Sequence, residues 1–225
     1  MTSNTSIPNI QFFESYLKMP LVQLPVRTSL IHLSNGASVL LSPHPSLTAE
    51  EFQRMDGVTD IVAPNLFHHL GIKKAMTALP EAKLWGVKGF DQKRKDLQWQ
   101  SFVTEDSWLY NDELIAIPLE GMPKVNECLF IHKPSKTLFV TDLCFNILNS
   151  SGFGAWLIYS IFGTNKRFST SKLLGRSITD KAAFQKSIEK LLTHDFDSIV
   201  PCHGSVVKSD AKAKLLLALS ERGTV

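Results

Sequence analysis

A thiol and an imidazole stand side by side at Cys202-His203, followed by Gly204. Such a pair can furnish a nucleophile and the base that activates it. Adjacent residues on a strand point to opposite faces, however, so Cys202 is expected to be a buried structural residue with His203 facing the other way. His68 and His69 form a doublet after one predicted strand, Asp142 closes another, and Glu120 lies in a loop between strands. Imidazoles and carboxylates are ordinary ligands for Zn²⁺, Fe²⁺ or Mn²⁺, and they are equally ordinary as caps and carbonyl partners. On the structural reading His69 bonds a neighbouring carbonyl, Asp142 caps the turn after it, and His68 is a surface residue. His32, His44, His132 and His194 stand in strand, loop or turn settings without partners, and Cys144 reads as core.

These groups must be positioned by the elements around them. Val26–Leu33 and Ser38–Leu41 are strand-like runs flanking Asn35-Gly36, a strong hairpin signal. Thr48 with Glu51 three residues on makes a capping box for a helix. Asp60–Ala63 reads as a short buried strand, His69–Leu79 as a helix and Lys83–Val87 as the next strand. Leu114–Leu119, Cys128–His132 and Thr137–Thr141 form a β-rich middle, the last two joined by the turn Lys133-Pro134-Ser135-Lys136. Helical spacing runs from Ser177 to Leu192, a strand from Asp197 to Pro201, and Ser209 is placed to cap a last helix. This order predicts two sheets packed face to face with helices outside, in a single domain over residues 1–225.

With 44% apolar and 20% charged residues, the composition is that of an ordinary globular protein and excludes disorder or a fibre. A net charge of +3 is too slight to imply a nucleic-acid partner, and Lys73-Lys74 and Lys93-Arg94-Lys95 read as solvated helix surface. The most apolar run, Gly152–Gly163, is too short for a bilayer, which needs about 20 residues. It is expected to be a helix packed on the sheet or lining the pocket, with a lid or a dimer surface left open. Three cysteines without paired spacing make no disulfide framework, and Met1–Ile10 shows no secretory pattern, so a cytoplasmic setting with no membrane is expected.

Four segments in order resemble the metallo-β-lactamase superfamily. They are the opening hairpin; Pro64-Asn65-Leu66-Phe67-His68-His69-Leu70-Gly71, against the superfamily's H-x-H-x-D-H-x-G; Lys136–Asp142, against the strand ending in its bridging aspartate; and Ile199–Gly204, against its strand-end histidine. The resemblance implies a four-layer αββα sandwich. Anchored on His69 and Gly71, it places Pro64 and Leu66 where two histidines of the first metal should stand, and His68 in place of an aspartate. The loop carrying the remaining histidine matches Leu119-Glu120-Gly121-Met122-Pro123, which has none.

The first metal site is therefore expected to be lost. The second maps to His68, His69, Asp142 and His203, a sound donor set for a single zinc, iron or manganese ion. Of these, His69, Asp142 and His203 are expected to converge, with His68 displaced outward because imidazole is longer than the carboxylate it replaces. The resemblance implies a hydrolase relative with at most one divalent metal, or none, acting on an ester, lactone, thioester or phosphodiester. The alternative, from a different class, is a non-catalytic protein that holds a small ligand or partner in the old cleft. A homodimer is left open.

Overall fold

The computed structural model describes residues 6–150 and 152–224. The chain runs through β1 (Ile10–Met19), β2 (Val22–His32), β3 (Ser38–Leu41), α1 (Ala49–Gln53), β4 (Asp60–Ala63), α2 (Ile72–Ala78), β5 (Lys83–Gly86), α3 (Phe90–Lys93) and β6 (Ser101–Phe102). It continues through β7 (Leu114–Pro118), β8 (Cys128–His132), β9 (Thr137–Val140), β10 (Phe145–Ile147), α4 (Phe153–Phe162), β11 (Arg167–Ser169), α5 (Lys172–Ser177), α6 (Lys181–Thr193), β12 (Ser198–Pro201) and α7 (Ala211–Ser220). Strands β1 to β6 make one mixed sheet in sequence order, and a second mixed sheet has the order β12-β9-β8-β7. A small pair, β10 with β11, stands apart from both.

Period-two alternation splits the second sheet between two cores. Leu114, Ala116, Cys128, Phe130, Phe139 and Val200 pack with the first sheet and with Phe52, Ile72 and Phe90 of α1, α2 and α3. The intervening Ile117, Leu129, Ile131, Leu138, Val140 and Ile199 pack with Leu174, Phe184, Ile188, Leu191, Leu215 and Leu219 of α5, α6 and α7. Two stacked mixed sheets with helices outside are thus what the alternation requires, as the sequence predicts.

Several boundaries differ from expectation for local reasons. The stretch Ser177–Leu192 is not one helix: Asp180 accepts a bond from the Ala183 N–H at 3.0 Å and starts α6 afresh, after extended backbone at Ile178. Asp210, not Ser209, precedes the last helix, in left-handed backbone and without a capping bond. The helix expected from His69 begins only at Ile72; Gly71, just before it, lies so close to the Pro43 carbonyl that a Cβ there would meet its oxygen at 2.1 Å. Strand β1, which pairs with β2 along its whole length, is the main element the sequence reading passes over.

His44 is 4% exposed, and neither of its ring nitrogens is in hydrogen-bond geometry with a partner. Burial depresses its pKa, partly opposed by Glu51 and the Phe13 backbone. A buried neutral base adds nothing to stability's pH dependence above the unfolded pKa of about 6.5. Below it the unfolded chain takes up a proton that the folded one refuses, so stability falls as pH falls toward the folded pKa. Urea unfolding between pH 7.5 and 5 should therefore show a shallower acid loss for His44→Leu than for the parent. Equal slopes would mean that His44 does not contribute.

Candidate metal centre

Strands β9 and β12 are parallel neighbours, with Val140 opposite Pro201. Two residues beyond that pair, Asp142 and His203 leave the same ends of adjacent strands. The Cys202 N–H bonded to the Val140 carbonyl at 2.8 Å keeps the register through the bend. His68 arrives from the first sheet, on the loop after β4. Asn65 folds that loop: its Oδ1 accepts the N–H groups of Phe67 and His68 at 2.8 and 3.0 Å. The amide nitrogen of the same side chain donates to Thr141 Oγ1 at 2.8 Å and Asp142 Oδ2 at 2.6 Å. One fully buried asparagine thus ties the histidine loop to the aspartate across the sandwich.

The structure brings His68, Asp142 and His203 together. His68 Nε2 lies 3.3 Å from Asp142 Oδ2 and 3.3 Å from His203 Nε2, and His203 Nε2 lies 3.6 Å from Asp142 Oδ1. Atoms held about 2.0–2.2 Å from one tetrahedral ion stand roughly 3.3–3.6 Å apart, so the donor spacing fits a single metal. The outer nitrogens are also fixed. His203 Nδ1 faces the Pro25 carbonyl at 2.8 Å, which can only accept, so Nδ1 carries the proton and the neutral ring offers its lone pair at Nε2. His68 Nδ1 bonds Ser42 Oγ at 2.7 Å, and Phe145 stacks on the His203 ring at 5.0 Å. The His68 and Asp142 side chains remain 13% and 18% exposed, which leaves the cluster reachable from solvent.

His69 is placed elsewhere, the reverse of the expected arrangement of the doublet. Its Nδ1 faces Arg94 Nη1 at 3.3 Å, its carbonyl accepts from the same guanidinium at 3.1 Å, and its ring meets Phe90 edge-on. The Asn65 turn decides which histidine points inward, and motif spacing does not contain that information. Glu120 is exposed, with its backbone N–H on Ser187 Oγ.

Cys202 is buried, as the sequence reading expects, but it does not face away from the histidine cluster. Residues 202 and 203 form a bend and not a strand, so alternation does not apply. The Cys202 thiol donates to the Arg27 carbonyl at 3.1 Å and lies 3.7 Å from His68 Nδ1, behind the ring. Among the described residues, His68, Cys202 and His203 form a group whose donor atoms lie within 4.8 Å of one another. Burial pushes the Cys202 thiol up, but the His203 and His68 imidazoles outweigh it and bring it down to about 6.

The carboxylates divide in the same way. Burial raises the Asp142 pKa, and the two imidazoles overcome this and hold it well below the usual range. Beneath it, Glu127 accepts the N–H groups of Thr141 and Asp142 at 2.6 and 3.1 Å, while burial and the charge of Asp142 push its pKa up to about 7. Burial lowers the His68 and His203 values, but Cys202 and Asp142 outweigh it and raise both. The cluster accumulates electron-pair donors that a cation or a proton would satisfy.

The two positions and the loop that resemble the first metal's histidine segments hold packing. Pro64 accepts the Cys128 N–H at 2.8 Å, Leu66 bonds the Val125 carbonyl through its N–H at 2.9 Å and packs on the inter-sheet core, and Met122 is 1% exposed. Pro64 and Leu66 carry no metal-ligating side chain, and the loop Leu119–Pro123 holds no histidine.

No family model and no curated protein matches the sequence. Solved structures do match in shape. A metallo-β-lactamase from Pontibacter korlensis has a TM-score of 0.67 and 14% identity, covering 98% of this chain and 97% of its own. A metallo-β-lactamase from Pseudomonas aeruginosa in its mono-zinc form has a TM-score of 0.65 and 11% identity, covering 98% and 95%. A metal-soaked flavodiiron core from Synechocystis has a TM-score of 0.68 and 15% identity, covering 96% of this chain and 59% of its own. The chain has the metallo-β-lactamase fold. At these identities the likeness establishes the fold alone. Among the described residues no helix is long and apolar enough to cross a membrane.

Proposed function

We propose that the chain is a hydrolase-like protein of the metallo-β-lactamase fold that holds one divalent ion, zinc, iron or manganese, between His68, Asp142 and His203. The observation that carries this reading is the convergence of two imidazole Nε2 atoms and a carboxylate at 3.3–3.6 Å. A divalent ion at such a site supplies Lewis acidity and lowers the pKa of water. The chain's own residues keep the donors ready for it. Pro25 and Ser42 hold the two rings by their far nitrogens, and Asn65 fixes the carboxylate. Glu127 anchors the backbone of Asp142 and stays out of the donor set. Cys202 faces the opposite nitrogen of His68 and is not counted among the ligands.

The loss of the first site follows on this reading from Pro64 and Leu66, which offer no donor, and from the histidine-free loop Leu119–Pro123. Three ligands leave a fourth position for water or substrate, the pattern of a catalytic and not a structural ion. Elemental analysis of protein purified without chelator should give one ion per chain. Two ions would mean that a second donor set exists elsewhere. None, with His68 found protonated at neutral pH by NMR, would favour the non-catalytic reading, in which an imidazolium bridges Asp142 and His203.

A further inference from the structure

Away from the donors' inner face, the β1–β2 hairpin, the segment after β10, and α4 enclose a cleft of about 1280 Å³. Pockets for drug-sized ligands span about 300–1,000 Å³, so this one has room for an elongated molecule. Its walls are of two kinds. Tyr16, Met19, Leu21 and Leu148 line it and are exposed; α4, a helix with no charged residue, adds Ala155 and Tyr159 to the wall and leaves Phe153 and Trp156 exposed. Soluble proteins seldom leave apolar surface of this kind open unless something binds there.

The other kind of wall is cationic. Lys18, Lys166 and Lys208 line the same cleft, and none is paired with a carboxylate among the described residues. The one carboxylate lining it, Glu14, is held by Arg27 Nε and Nη2 at 3.0 and 2.5 Å. The cleft therefore combines unneutralised positive charge with apolar surface.

Backbone strain falls on the same residues. Leu21, 70% exposed in the tight turn between β1 and β2, has φ +68, and Lys166 has φ +53. Turns at positive φ favour glycine or asparagine, and a bulky branched residue there is costly. Strain kept at a ligand-facing position is a mark of function.

We propose that this cleft binds an anionic amphiphile with a single long alkyl chain. Its head group lies among Lys18, Lys166 and Lys208, and its chain lies along the hairpin tip and α4. The cleft reaches Pro25 and Cys202 behind the His203 and His68 rings, but none of its lysines or exposed apolar walls belongs to the donor set, so its occupant can be tested apart from the metal.

The probe is myristate, kept below its micellar concentration and titrated by calorimetry against the full chain. Saturable one-to-one binding is expected, strengthening roughly three- to fourfold per methylene from decanoate to myristate. A maltoside with the same alkyl chain and no charge should bind at least tenfold more weakly. So should myristate to a Lys18→Glu, Lys166→Glu double variant. Leu21→Asn relieves the positive φ, so it should unfold no earlier than the parent while losing at least tenfold in myristate affinity. Absence of saturable binding would overturn the assignment. So would equal affinity for the neutral amphiphile, or unchanged affinity in both variants. Binding to phosphatidylglycerol vesicles without monomer binding would make the face a membrane surface. Dimerisation that excludes myristate would make it a contact between copies.

Discussion

Asp142→Ala should strip the chain of its ion, with affinity falling by well over 100-fold in a chelator competition. The carboxylate is the only anion among the three converging donors, and without it two neutral imidazoles remain. Losing a side chain that holds a metal ligand in place costs about 10–100-fold, which sets the scale for a graded series. Asn65→Ala removes the bond to Asp142 Oδ2 and the turn that aims His68, and belongs in that 10–100-fold range. His69→Ala should leave the affinity unchanged, because that ring is engaged with Arg94. A His69 variant that loses the metal as fully as the Asp142 variant does would restore the donor set expected from the motif and refute the one drawn from the geometry. Unfolding midpoints measured beside the affinities separate lost ligation from lost structure.

The second large effect is on stability. Gly204 has φ +103, and a Cβ there would lie 2.1 Å from the Asn146 carbonyl oxygen. That oxygen accepts the Ser205 N–H at 2.8 Å, and the Asn146 N–H in turn bonds the His203 carbonyl at 3.0 Å, so the contact cannot open without disturbing both. Gly204→Ala should therefore cost about 2–5 kcal/mol, the sum of an unfavourable backbone conformation and overpacking against a fixed group. Urea unfolding measures it directly. A loss below about 0.5 kcal/mol, the level of an uninvolved surface change, would show that the β12–β10 connection yields freely. Because the backbone of His203 belongs to the same set of bonds, metal affinity should fall along with stability.

The sequence conveyed the layered fold well, because alternation along β7, β8, β9 and β12 and the order of the four resembling segments depend on residue type and spacing. It conveyed Asp142 and His203 for a related reason: both end strands, and parallel pairing of those strands places them together. It did not convey which of His68 and His69 turns inward. That choice rests on Asn65, whose side chain bonds backbone on one side and a residue far along the chain on the other. Neither bond leaves a pattern in linear spacing. The burial of Cys202 is legible, but its place beside His68 is not, because a bend replaces the strand on which alternation depends. Likewise, the division between α5 and α6 lies in a polar cap that apolar periodicity passes over.

On the single-ion reading proposed above, the packing at Pro64, at Leu66 and in the loop that carries Met122 would make that state hard to reverse. A second ion at the resembling positions would need three imidazoles at once, and each one added alone gains no ligand. Each would instead replace tightly packed apolar contacts, at Met122 with 1% exposure, by an unpartnered ring nitrogen costing about 1–3 kcal/mol. Three such steps approach the whole stability of a typical domain, about 5–15 kcal/mol, before any reward arrives. Gradual mutation thus meets a barrier in one direction only, and the departure from two-metal chemistry acts as a ratchet. A designer wishing to undo it would have to rebuild the core beside β4 first and add the ligands afterwards.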